Sequence, residues 1–106
     1  MNQKQQRLHT LINHFAHARV LCVGDIMLDE YITGEANRIS PEAPVPVIHH
    51  KLTKQVLGGV GNVAANLTAL GCQTCVFYAV GKDSDAAKIE AMLTAAGVTP
   101  YAYAIA

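Results

Sequence analysis

Residues 57–81, LGGVGNVAANLTALGCQTCVFYAVG, change their hydrophobic period part-way along. Gly58, Gly59 and Gly61 strip side chains from the approach to an apolar run with helical spacing, and Gly71 closes that run. QTCVFYAVG (73–81) then reads as a short, buried strand rich in β-branched and aromatic residues. A helix fed by glycines and followed by such a strand is half of a parallel α/β unit. The flanks supply the remainder. RVLCVGDIML (19–28) is an apolar run ending at Gly24-Asp25, the pattern of a strand buried on both faces of a parallel sheet, and YAYAIA (101–106) reads as a third strand. SDAAKIEAMLTAAG (84–97) is a second helix closed by Gly97, with Asp83 or Ser84 placed to cap it. The order β-α-β-α-β predicts right-handed crossovers and a doubly wound α/β parallel sheet.

Outside this alternation lie two segments. Leu8, Leu11, Ile12, Phe15 and Ala18 recur at helical intervals, so residues 3–17 form a helix within an N-terminal segment, 1–18, that precedes the sheet domain, 19–106. His9, His14 and His17 sit around that helix; without a third ligand nearby they read as solvated or capping groups rather than a metal site. Residues 29–57, DEYITGEANRISPEAPVPVIHHKLTKQVL, carry prolines at 41, 44 and 46 and β-branched residues in period two. They are expected to form short strands and turns, a small β lid inserted after the first strand. Such an insertion lies over the carboxyl ends of the strands, where open α/β sheets bind ligands. At the other end, YAYAIA stops inside a strand pattern without an element to cover the second face of the sheet. The expectation is the front part of a larger protein, or a sheet covered in an oligomer.

Charge and composition narrow the function classes. The chain has 106 residues, 51% of them hydrophobic, enough for one small core. Eight Lys and Arg balance eight Asp and Glu, so no long-range positive field serves nucleic acid or an anionic membrane. The polar, amphipathic start MNQKQQRLHTLINHF is no signal peptide, and no run approaches the roughly 18 apolar residues of a membrane span, so a cytoplasmic protein is expected. Cys22, Cys72 and Cys75 are an odd number in apolar surroundings, which suits packed thiols in a reducing compartment. In CQTC, residues three apart on a strand point to opposite faces and could not share a metal without a turn there.

The glycines decide the chemistry. Gly58 and Gly59 let a ligand touch backbone N–H groups at the positive end of the following helix, which suits hydroxyls or an anion. A Walker A loop requires Lys and Ser/Thr after its last glycine, whereas Asn62-Val63 stand here. A Rossmann fingerprint would place the glycines directly after the first strand and an acidic residue at the end of the next; neither occurs. Close packing of helix on sheet explains a glycine turn as readily as a ligand does.

Taken together, VGDIMLDEY (23–31), NRISPEAPVPV (37–47), GGVGNVAANLTALG (58–71) and AVGKD (79–83) resemble the ribokinase-like sugar kinases of the PfkB family, and among them the kinases that act on heptose 7-phosphate. The resemblance runs over residues 19–106, and RISPEAPVPV is its most specific part. It implies the N-terminal portion of a ribokinase-like fold whose lid doubles as a clasp between two subunits of a homodimer. It also implies MgATP as phosphoryl donor in the full-length protein, a sugar phosphate as substrate, and a role in making precursors of lipopolysaccharide core sugars. By the same resemblance Asp29 grips sugar hydroxyls, and Gly58, Gly59 and Asn62 form the sugar-contacting glycine motif. Arg38, in the specific run, is a candidate for the 7-phosphate, because a guanidinium takes phosphate bidentately. Asp83 matches a family acidic position that helix capping also explains, and Ala86-Ala87 stand where the family carries a glycine. The family's D-T-x-G-A-G-D motif, which supplies the catalytic Asp, does not occur in these residues, so the chain alone is expected to bind no ATP, magnesium or other metal and to be inactive. Two further classes stay open: a non-catalytic sugar-binding or dimerisation module, and a Rossmann-type nucleotide-binding domain.

Overall fold

Helix α1 (Gln3–His14) begins with a reciprocal cap: the Asn2 side chain accepts from the Gln5 N–H at 2.8 Å while the Gln5 side chain accepts from the Asn2 N–H at 3.0 Å. In this computed structural model the helix predicted over 3–17 ends as a 3-10 turn, Phe15–His17. The structure describes the backbone of residues 1–42, 44 and 46–105, and their side chains except those of 35–38 and 46–51. Strand β1 (Arg19–Val23) follows and ends ahead of Gly24-Asp25. The chain then leaves the sheet as an antiparallel ribbon, β2 (Ile26–Ile39) and β3 (Pro46–Gly59). It returns through α2 (Val60–Ala69), β4 (Gln73–Gly81), α3 (Ser84–Ala95) and β5 (Thr99–Ile105).

Strands β1, β4 and β5 form a parallel sheet in that order, with Cys22 beside Val76 and Phe77 beside Tyr101. The α/β class and the predicted strand 73–81 match the observed elements, and the last strand begins two residues earlier than expected. Each helix ends where the sequence placed its glycine: Gly71 and Gly97 have φ of 108° and 83°, values that suit a residue without a Cβ. Asp83 caps α3 by accepting from the Ala86 N–H at 3.0 Å.

Residues 29–57 depart from expectation. In place of short strands and turns, the ribbon has two 14-residue strands paired from Ile26 opposite Gly59 to Ile39 opposite Pro46, with register shifts near Gly34 and between Ala36 and Arg38. The three prolines do not interrupt it because of where they stand. Pro41 and Pro44 lie in the connection, and Pro46 opens β3, a position where a missing N–H is tolerated.

The core lies on one face of the parallel sheet. Cys22, Val76 and Tyr78 pack there against Ala64 of α2, Ile89 and Leu93 of α3, and Val98. Ile26, Leu28 and Leu57, from the base of the ribbon, and Val60 close its edge. Because α2 and α3 cover the same face, alternation exposes the residues between: Leu21, Val23, Phe77, Tyr101 and Tyr103. Strand β1, expected to be buried on both faces, is therefore buried on one, with Val23 73% exposed. Phe77 and Tyr101 stack on the uncovered face at 4.7 Å between centroids. All three cysteines are free thiols, and burial raises the pKa of Cys22, with the nearby Cys75 adding to the effect. No helix among the described residues is long and apolar enough to cross a membrane.

Candidate functional site

The site forms where β1, the ribbon base and the first turn of α2 meet. The Asp25 carbonyl accepts from the Val60 N–H at 2.8 Å, which ties the end of β1 to the start of α2. Gly59, between them, is the N-cap residue of α2 and has φ 58° and ψ −136°. A Cβ at Gly59 would collide with the Asp25 carbonyl oxygen and come within 3.3 Å of its carbon. Both the dihedral and the close approach demand glycine here. No side chain caps α2, and Val60 directs its N–H to Asp25. The next N–H groups of that turn have no partner within the helix, the arrangement at which helix starts hold ligand oxygens.

Gly58 is buried, and its missing side chain is the space that Asp29 uses. A Cβ on Gly58 would collide with the carboxylate, lying 2.8 Å from its Cγ and 3.1 Å from Oδ1. Strand register produces this contact: Gly58 sits opposite Met27 and Val56 opposite Asp29, so Asp29 is the diagonal neighbour of Gly58 on one face of the ribbon. The Asp29 side chain is half-buried, accepts no hydrogen bond and pairs with no cation among the described residues. A carboxylate held in that way keeps its lone pairs for an incoming donor.

Of the predicted site residues, Asp29, Gly58 and Gly59 are brought together at the ribbon base. Asn62 lies in the first turn of α2, exposed and without a side-chain partner among the described residues. Arg38 is not brought to this cluster. Its backbone pairs with Val47 near the far end of the ribbon, nine residues beyond Asp29, which is about 30 Å of strand contour, and its side chain lies outside the described residues. Gly61 has the packing role that a glycine turn also allows, since a Cβ there would meet Ile26 Cδ1 at 3.1 Å and Leu57 Cβ at 3.3 Å. Asp83 is occupied by the α3 cap.

The sequence reading overlooked Met27. Its Cε lies 3.5 Å from where a Gly59 Cβ would stand, so this half-exposed side chain walls one flank of the glycine turn. The period of two that puts Met27 and Asp29 on one face was the available signal. Chemically, the site offers a two-oxygen acceptor beside bare main chain at a helix start, whose first N–H groups the helix itself does not pair. That set complements a group that both donates and accepts, such as adjacent hydroxyls. Among the described residues no group of three His, Cys, Asp or Glu is placed to hold a metal ion.

Comparison with known proteins places these elements in a wider frame. Residues 17–105 match the model of the pfkB family carbohydrate kinases. The chain is 52% identical over 83 residues to a D-beta-D-heptose 7-phosphate kinase of Bordetella bronchiseptica, covering 78% of this chain and 26% of that protein. It is 49% identical over 88 residues to the bifunctional protein HldE of Methylococcus capsulatus, covering 83% of this chain and 19% of that one. The chain therefore spans about a fifth to a quarter of the length of these relatives. A carbohydrate kinase from Agrobacterium tumefaciens superposes with a TM-score of 0.68 over 84% of this chain and 28% of its own, at 21% identity, which establishes likeness of fold.

Proposed function

The chain belongs to the pfkB family of carbohydrate kinases, and from that premise we propose that the full-length protein passes the γ-phosphate of MgATP to the anomeric hydroxyl of a heptose 7-phosphate. The names of the relatives support the substrate, and the HldE name supports a place in the supply of activated heptose for lipopolysaccharide core. The observation that carries the reading is the Asp29 carboxylate, half-buried, lying across Gly58 and without a partner among the described residues.

In this reading Asp29 accepts hydrogen bonds from two hydroxyls of the sugar, and the N–H groups beyond Gly59 and the amide of Asn62 bond to the oxygens beside them. Phosphoryl transfer depends mainly on positioning and charge stabilisation, and these residues supply the positioning of the acceptor. Among the described residues no group of three His, Cys, Asp or Glu is placed to hold the magnesium ion of a nucleoside triphosphate. Those groups, with the base that takes the proton from the attacking hydroxyl, belong to the remaining length of the protein, and the 106-residue chain alone turns over no ATP.

The projecting ribbon, with Ile39 and Leu52 more than half exposed towards its far end, supports a lid that also clasps a second subunit. The contour distance from Asp29 makes that dimer part of the role proposed for Arg38, which would take the sugar's phosphate in the partner's site. Unchanged KM for the phosphorylated sugar on Arg38→Ala would remove it.

The test of the function is ATP consumption by the full-length protein with heptose 7-phosphate, with unphosphorylated heptose and with no sugar. The expected result is turnover with the phosphorylated heptose and at least a hundredfold lower kcat/KM for Asp29→Asn, since a site built around buried polar groups strongly penalises an unpaired one. Sugar binding without turnover would instead indicate a non-catalytic module. NAD binding with no sugar response would overturn the reading.

A further inference from the structure

We propose that Tyr31 is a specificity-determining residue of the sugar site, its ring forming the platform for the apolar C–H face of a pyranose; this rests on the carbohydrate reading of Asp29. The geometry follows from the ribbon. The position of a Gly58 Cβ against the Asp29 carboxylate identifies the face on which Asp29 stands. Alternation places Met27 and Tyr31 on that same face, and register places Lys54 directly across from Tyr31. Two residues of strand separate Asp29 from Tyr31 by about 7 Å, a spacing into which one six-membered sugar ring fits.

Tyr31 has no evident part in the fold. It is 58% exposed, lies outside the core cluster, and neither stacks on another ring nor hydrogen-bonds through its hydroxyl among the described residues. A pyranose presents two surfaces, a rim of hydroxyls and a face of C–H groups. Asp29 and the glycine backbone address the rim, and neither covers the face. An aromatic ring does so over a large area while immobilising only two side-chain torsions. Tyr31 is the aromatic residue nearest Asp29 along this face, so the site should favour a closed ring with a continuous C–H face over an open-chain polyol of the same hydroxyl pattern.

Ile32 provides the internal control. It is also 58% exposed and one residue away, but on the opposite face of the ribbon. Calorimetric titration of heptose 7-phosphate into the full-length protein should give about tenfold weaker binding for Tyr31→Ala. Tyr31→Phe and Ile32→Ala should bind as the wild type does, and all three should keep the wild-type melting midpoint. Unaltered affinity in Tyr31→Ala would overturn the inference alone. An equal loss in Ile32→Ala would also overturn it, by showing a general effect of the ribbon. A wild-type protein that binds no sugar overturns the kinase reading, and the inference with it.

Discussion

Gly58 and Gly59 are adjacent, yet each is glycine for a different reason. At Gly58 the added methyl of Gly58→Ala would stand 2.8 Å from the Asp29 Cγ, so the carboxylate must swing away. The expected outcome is at least a tenfold loss of sugar affinity with little change in melting midpoint, read by calorimetry and thermal unfolding of the same preparation. At Gly59 the obstacle is main chain, the Asp25 carbonyl, and φ is +58°. Gly59→Ala should therefore lower stability itself, by about 1–3 kcal/mol in denaturant unfolding, because backbone cannot move aside as a side chain can. Asp29 and the glycines were legible in the sequence through their spacing and the family they resemble. The collision with Asp25 was not, because it exists only when two segments more than thirty residues apart are brought together.

Among the elements, the helices and β4 could be read from period and punctuation because their signals are local: Asp83 ahead of α3, Gly71 and Gly97 behind the two helices, and an unbroken apolar strand between. Asp83→Ala should cost about 1 kcal/mol through loss of the Ala86 N–H bond. Leu93→Ala, at a fully buried position, should cost about 2–5 kcal/mol. The ribbon was misread because proline count obscured proline position. Tyr78 makes a prediction of opposite sign. It is 4% exposed with a hydroxyl that has no partner among the described residues, and burial, reinforced by the charge of Glu90, raises its pKa above the usual tyrosine value near 10. A raised folded-state pKa favours the neutral phenol, so its contribution is fully present below about pH 10 and is lost as pH rises through the folded value. Tyr78→Phe should leave stability at neutral pH unchanged or raise it by about 1 kcal/mol, and should flatten the alkaline loss in a pH series of denaturation midpoints.

For the molecule as a whole, the radius of gyration is 19.4 Å, against about 13 Å for a compact chain of this length, and its extents are 62 × 45 × 19 Å. The long ribbon accounts for much of that extension. The sheet is equally lopsided: helices cover one face and leave an apolar surface on the other, where the sequence pattern led to burial of β1 on both. That asymmetry predicts that Tyr103→Ser, at a position 73% exposed on the open face, changes the stability of this chain by no more than about 0.5 kcal/mol, in contrast to Leu93→Ala beneath the helices. Fold class was legible at this scale because it depends on element order. The partnership between ribbon base and helix start was not, because it depends on register, which period alone leaves open. The central claim is that Asp29, across the bare backbone of Gly58, holds the hydroxyls of a sugar. Its most direct test is calorimetric titration of heptose 7-phosphate into full-length wild-type and Asp29→Asn protein at equal folded concentration. Measurable binding by the wild type and at least a tenfold weaker affinity in the variant is the predicted result, and equal affinity in the two would contradict it.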